Sequence, residues 1–171
     1  MRDSTSCDLK VVMQKISVRY ANINDSSTIV AFNLEMALET EGKTLSFATV
    51  NAGVKNLIRR PEYGFYLVAE VAERVVAALL VTFEWSDWRN GVIWWVQSVF
   101  VAAEWRRRGV YRKLYETVKA FAAQDARVRG FRLYVEKDNL PAQQTYRSLG
   151  MQESDYRLYE EMVDSEAENK K

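Results

Sequence analysis

The order of hydrophobic patterns along the chain predicts an α/β (α+β) fold, a mixed, mostly antiparallel central sheet flanked by helices. Three observations carry that prediction. One short alternating run is followed by two stretches of helical period. Three strand-like runs then follow one another with only short polar connections, as an antiparallel meander requires. The last of these runs leads through an arginine-rich turn into an amphipathic helix and a further strand.

In chain order, "KISVRYA" alternates Ile16, Val18 and Tyr20 with polar residues and reads as a strand. "NDSSTIVAFNLEMALE" changes period: Asp25 is a natural N-cap, and Ile29, Phe32 and Met36 share one helical face. "FATVNAGVKNLIRRPEYG" repeats the pattern with Val50, Val54, Leu57 and Ile58 before Pro61 and Gly64 end it. The meander comprises "FYLVAEV", "VVAALLVTF" and "VIWWVQSVFVA", joined by "AER" and by the polar, aromatic break "EWSDWRNG". In "GVYRKLYETVKAFAAQ", Val110, Leu114, Val118 and Phe121 form one buried face of a helix that exits at Arg129 and Gly130. The strand "FRLYVE" and a short helix in "DNLPAQQTYRSLGM" follow, with Pro141 in its first turn and Gly150 at its end. A final strand is expected in "DYRLYEEMV".

The 171 residues, 48% of them hydrophobic, suffice for one domain with a sizeable core. That domain is expected over 15–163, between a loosely ordered segment at 1–14 and a disordered tail at 164–171. Lys and Arg number 24 against 23 Asp and Glu, so no net field gathers nucleic acid or an anionic membrane. The single cysteine, Cys7, excludes an internal disulfide. With no histidine, the chain lacks the commonest metal ligand and the usual neutral-pH base, and no metal is expected. Neither a signal-like apolar segment nor a run of membrane-spanning length is present, so the expected location is the cytoplasm, with no membrane partner.

The arginine turn "EWRRRGVY" is the strongest local feature. A helix opening at Gly109 presents unpaired N–H groups and about half a positive charge to an anion. Glycine permits close approach there, and neighbouring arginines pair with phosphate oxygens. A solvated basic helix cap accounts equally well for the arginines alone, and the position directly after a long strand favours the phosphate. No Gly-Lys-Ser/Thr follows, as a nucleotide-hydrolase loop needs, and the further glycines of a dinucleotide loop are missing.

"RRRGVY" between strand and helix, followed by "FRLYVEKDNLPAQQTYRSLGM", resembles the GNAT superfamily of acyl-CoA-dependent N-acetyltransferases. The family's pyrophosphate loop, Gln/Arg-x-x-Gly-x-Gly/Ala, is met by Arg106 and Gly109, while Tyr111 departs from it. The second block, Asn-x-x-Ala-x-x-x-Tyr-x-x-x-Gly-Phe, is met by Asn139, Ala142, Tyr146 and Gly150, with Met151 in the last place. The resemblance covers roughly residues 16 to 160.

It implies acetyl-CoA as acyl donor, with Val99, Phe100 and Val101 offering backbone groups to the pantetheine arm. Amides from Arg107 through Val110 and Tyr111 to Arg112 hold the pyrophosphate, and Arg106, Arg107 and Arg108 contact it or face solvent. Asn139 bonds the pantetheine arm or caps the helix that follows. Tyr146 protonates the leaving thiolate, since a phenol keeps its proton at neutral pH. Many family members carry a glutamate base where this chain has Gln97, which can orient water but cannot take its proton. Glu84 or Asp87 of the "EWSDW" loop is then expected to meet the cationic amine, with Glu35, Glu39 and Glu41 as further sources of a carboxylate. A plain solvated loop is the competing reading of Glu84 and Asp87. Trp94 and Trp95 are adjacent in a strand and face opposite ways, so at most one lines a given pocket.

The function so implied is N-acetylation of a primary amine, whether a small amine, an amino acid or a peptide N-terminus, by direct attack in a ternary complex. Cys7 has no histidine to activate it, which disfavours an acyl-cysteine route. The alternative is a noncatalytic acyl-CoA-binding or regulatory module. A small-molecule amine is the expected partner, with no nucleic acid, and a homodimer is the oligomer considered.

Overall fold

A computed structural model of the chain describes residues 15–163. The segments at 1–14, with Cys7, and 164–171 lie outside the described residues, and so do the expectations made for them. Strand β1 (Ser17–Tyr20) leads to α1 (Ser26–Glu41) and α2 (Phe47–Arg59). β2 (Gly64–Val71), β3 (Arg74–Ser86) and β4 (Gly91–Val101) form the meander, and α3 (Val110–Ala122), β5 (Val128–Arg132) and α4 (Leu140–Ser148) complete the order. The five strands make one sheet in the order β1-β2-β3-β4-β5. All neighbours are antiparallel except β4 and β5, which run parallel across the α3 crossover.

Strand alternation distributes the core over both sheet faces. Tyr66, Val68, Ala78 and Leu80 pack with Ile29, Val30 and Val54 of α1 and α2, and Phe32, Val50, Leu57 and Ile58 close around them. The opposite face takes α3, where Val110, Leu114 and Val118 are buried as their spacing demands. It carries an aromatic series: Trp94 meets Phe65 edge-on at 5.3 Å, Phe131 meets Tyr115 of α3, and Tyr20 stacks on Phe121 at 4.8 Å. Such pairs add about 1 kcal/mol each beyond their area. Gly64 is required by closeness, because a Cβ there would stand 2.1 Å from the Val81 carbonyl oxygen.

Several local expectations are corrected. Asp25 does not cap α1; Asn22 caps a short 3-10 turn over Ile23–Asp25, and Asp25 instead receives Arg19 Nη1 at 2.7 Å and Nη2 at 2.9 Å. Arg19 also reaches Glu70, and its guanidinium holds the Asp25 carboxyl below the usual carboxylate range. Ser46 caps α2 by accepting from the Thr49 amide. β3 continues through Glu84, Trp85 and Ser86, which pair with Ile93, Val92 and Gly91, so only Asp87 to Asn90 turn. β5 begins at Val128, with Arg129 and Gly130 inside it rather than at a helix exit, because Val92 and Ile93 pair with Val128 and Gly130. The hairpin at Ala72 and Glu73 is tight, both residues having positive φ (48° and 63°), the backbone of a twisted two-residue turn.

Contacts cluster in two compact units, one ending at Tyr134 and the other beginning at Val135. In the second, Asn139 caps α4, Pro141 occupies its first turn, and Gly150 follows its end with φ 93°. The strand expected over 155–163 is not formed: residues 151–163 have no regular structure, and Tyr156, Leu158, Tyr159, Met162 and Val163 are exposed. A strand needs a partner edge, and pattern alone does not supply one.

Candidate active site

Strand β4 has two neighbours at its start and one at its end. It pairs with β5 only from Val92 to Trp95, whereas its pairing with β3 continues to Val101. The β3 register shifts between Ala78 and Leu80, and opposite that shift Ser98 takes a left-handed φ of 45°. A bulge of this kind re-aims the strand. The Ala102 amide donates to the Val76 carbonyl of β3, so by alternation the Val99 and Val101 amides point away from β3 along the open side. The outward carbonyl of Val101 accepts from Arg106 Nε at 2.9 Å.

Beyond β4 a 3-10 turn, Ala103–Trp105, delivers the arginines, and α3 starts after Gly109. Arg107 (φ 59°) and Gly109 (φ 78°) are both left-handed, which turns the backbone sharply into the helix. An added Cβ at Gly109 meets nothing within 4 Å, so the demand for glycine there is conformational, and the space in front of the loop is open. No side chain caps α3, leaving the first-turn amides of Val110 to Arg112 without an intrahelical acceptor. Arg106 is engaged elsewhere: Nη2 bonds Glu39 of α1 at 2.7 Å, and the guanidinium lies over Phe100. Arg108 stacks over Trp105 at 5.1 Å. Tyr111, the departure from the motif, stacks on Tyr115 within the helix. The donor set fits a diphosphate: uncapped amides, a positive helix end and arginines on one turn.

On the α1 and α2 side, a cleft of about 380 Å³ reaches the bulge at Ser98 and is lined by Asn33, Met36, Glu41, Lys43 and Tyr66 among others. Glu41 accepts from Lys43 Nζ at 2.6 Å, both being lining residues. Glu84 and Asp87 do not line it. Glu84 is held by Trp95 Nε1 and, at 2.5 Å, by Arg132. Asp87 sits in the β3–β4 turn, where its side chain accepts from the Trp88 amide. Gln97 donates to the Thr82 hydroxyl at 2.6 Å, fixing its amide on the sheet face shared with Trp95. Trp94 is buried against Phe65 and Phe131 while Trp95 faces the other way, as adjacency required. Trp85 and Trp88 project into solvent. Residues missed from sequence are Ser98, Thr82, Arg132 and most of the cleft side chains, of which Glu41 drew attention as a carboxylate and Met36, Val50 and Val54 as helix-face residues. An unusual φ at a serine leaves no sequence signal.

In the unit after Tyr134, Asn139 Oδ1 accepts from the Ala142 amide at 3.1 Å, so the capping role is present. Tyr146 is seven residues further on the same helix face, and burial pushes its phenol above the ordinary tyrosine value.

A strand that leaves its parallel neighbour midway and runs into a left-handed turn at a helix N-terminus suits an extended ligand that ends in phosphates. The acetyltransferase (GNAT) family model matches residues 30–151, and the chain belongs to that family. A possible acetyltransferase from Clostridium difficile 630 is 45% identical, superposes with a TM-score of 0.81, and covers 88% of this chain and 99% of its own. A predicted acetyltransferase from Clostridium acetobutylicum, with acetyl-CoA, shares the fold at 16% identity and TM-score 0.70, covering 86% of this chain and 96% of its own. An aminoglycoside N-acetyltransferase in complex with CoA does so at 12% identity and TM-score 0.70, covering 87% and 95%. No curated protein sequence matches the chain. Among the described residues, no helix is long and apolar enough to cross a membrane.

Proposed function

We propose that the protein transfers the acetyl group of acetyl-CoA to a primary amine by direct attack in a ternary complex. The observation that carries the reading is the open side of β4 from Val96 to Val101, running straight into the uncapped N-terminus of α3. In this reading the outward backbone of Val99 to Val101 pairs with the amides of the pantetheine arm as an added strand would. The turn amides from Arg107 to Arg112 hold the pyrophosphate, with Arg107 and Arg108 adding charge. Bound acetyl-CoA supplies an activated thioester, and this chain's residues orient it, exclude water and manage protons.

The acceptor, a small amine, an amino acid or a peptide N-terminus, enters by the cleft beside Ser98. Glu41 is the carboxylate lining that cleft and meets the cationic amine there, while Glu84 orders Trp95 and Arg132. Gln97, anchored on Thr82, orients a water that carries the amine's proton away. Tyr146 gives its phenolic proton to the leaving thiolate, and Asn139 fixes the helix that bears it.

Thiol release from acetyl-CoA across an amine panel tests this reading. Turnover is expected, and Tyr146→Phe is expected to lower kcat about 100-fold or more with little change in the acetyl-CoA KM. Because the phenol is shifted upward, its alkaline loss of activity falls above the ordinary value of about 10, and none is expected from Tyr146 between pH 6 and about 9. Acetyl-CoA binding without turnover of any amine would instead favour a noncatalytic acyl-CoA module.

A further inference from the structure

The last turn of α1 goes against the helix dipole. It carries Glu39 and Glu41 and no basic residue, although a helix C-terminus favours cations. Each carboxylate is met from outside the helix, Glu41 by Lys43 Nζ at 2.6 Å and Glu39 by Arg106 Nη2 at 2.7 Å, 67 positions along the chain. A pair whose side chains are 40% and 44% exposed contributes little to stability by itself. What sets it apart is where it sits. Asn33, Met36 and Ala37 turn one face of α1 to the cleft, as spacings of three and four require. Phe32 and Glu39, two turns apart, turn the adjoining face to the end of β4, where Phe32 stacks on Phe100 at 4.7 Å. Arg106 lies over the same Phe100 ring at 5.7 Å and donates its Nε to the Val101 carbonyl at 2.9 Å. One guanidinium thus joins the turn that carries it, the end of β4 and α1.

We propose that Glu39 is a positioning residue that, through Arg106, ties occupancy of the cofactor turn to the order of the acceptor wall on α1. The inference rests on the proposed function, which assigns the turn to the pyrophosphate and the cleft to the amine. Glu41, the carboxylate that meets the amine in that reading, lies two residues beyond Glu39 in the same helical turn. Helix ends open easily unless they are held from outside. Phosphates gripping the turn amides restrain Arg106, which directly precedes the left-handed Arg107. The bond to Glu39 passes that restraint to the last turn of α1. The amine then meets a Glu41 that is already ordered, a coupling through conformational entropy that needs no change of shape.

Amide exchange read by mass spectrometry tests the tie, with CoA as the probe at a saturation set by calorimetry. CoA is expected to slow exchange over 36–42 about threefold or more in the parent chain, and to leave that stretch unchanged in Glu39→Gln at equal saturation. Protection by direct contact with CoA would be the same in both. Glu35→Gln removes a charge from an exposed position of the same helix and is expected to keep the full protection. In turnover of the amine used fastest, Glu39→Gln is expected to raise the amine KM about threefold while kcat stays within about twofold, a split that a residue serving stability alone does not produce. Exchange over 36–42 that CoA leaves unchanged in the parent chain, protection that persists in Glu39→Gln, or protection lost equally in Glu35→Gln would overturn the tie and leave the proposed function standing. A chain that takes up no CoA by calorimetry would overturn both.

Discussion

From Val92 to Trp95, strand β4 has a neighbour on each side; from Val96 to Val101 it has β3 alone among the described residues. The first half carries Trp94, buried among Phe65, Phe83 and Phe131, and Trp95, tied to Glu84 on the opposite face. The second half carries the bulge, the left-handed Ser98 and the outward amides of Val99 and Val101. Both halves read as strand in sequence, the first as Val-Ile-Trp-Trp throughout and the second with Gln97 and Ser98 between Val96 and Val99. The difference teaches that, under the proposed function, stability and binding divide along one strand according to where its backbone partners stop. Unpaired backbone inside a protein demands a partner. In the proposed function, the partner of the second half is the pantetheine arm, an extended ligand with amides of its own.

Three substitutions probe that division. The largest effect is expected from Gly109→Val, just past the binding half. A β-branched residue at φ 78° costs about 1–2 kcal/mol, so the turn must shift, weakening acetyl-CoA affinity about tenfold or more by calorimetric titration. An unchanged Kd would break the assignment of this turn to the cofactor. A smaller effect is expected from Glu84→Gln in the structural half. Losing the partly exposed pair with Arg132 and the charged acceptor of Trp95 should cost about 1 kcal/mol in denaturant unfolding, leaving the acetyl-CoA Kd as it was. A Kd that moved as much as the stability would erase the distinction between the halves. The smallest is Arg106→Lys. It keeps a charge but cannot bond the Val101 carbonyl and Glu39 together, and a change of only about twofold to fivefold in the acetyl-CoA KM is expected. A loss like that of Gly109→Val would make Arg106 a direct phosphate ligand.

Much of this was legible in the chain itself. Val110, Leu114 and Val118 announced the inward face of α3, and Asn139, Pro141 and Gly150 marked both ends of α4. Two spaced motifs marked the arginine turn and Tyr146, to which the proposed function assigns the pyrophosphate and the proton donor. Other features were not legible, each because it depends on residues distant in sequence. Asp25 looked like a helix cap, but Arg19, held also by Glu70 on a strand 51 positions further on, claims it as an ion-pair partner. Glu84 looked like a loop carboxylate, yet pairing of Trp85 and Ser86 with Val92 and Gly91 draws it into a strand beside Arg132. The β5 start moved three residues earlier because β4 supplies the register.

By itself the sequence determined the period of each element, the order of strands and helices, and the chemistry available at the turn, because these follow from neighbours within a few residues. Only the tertiary structure decided where β4 parts from β5, which carboxylate lines the cleft, and which carboxylates Arg19 and Arg132 hold. Those outcomes depend on pairing across long loops, where the packing of many residues outweighs the local preference of any one.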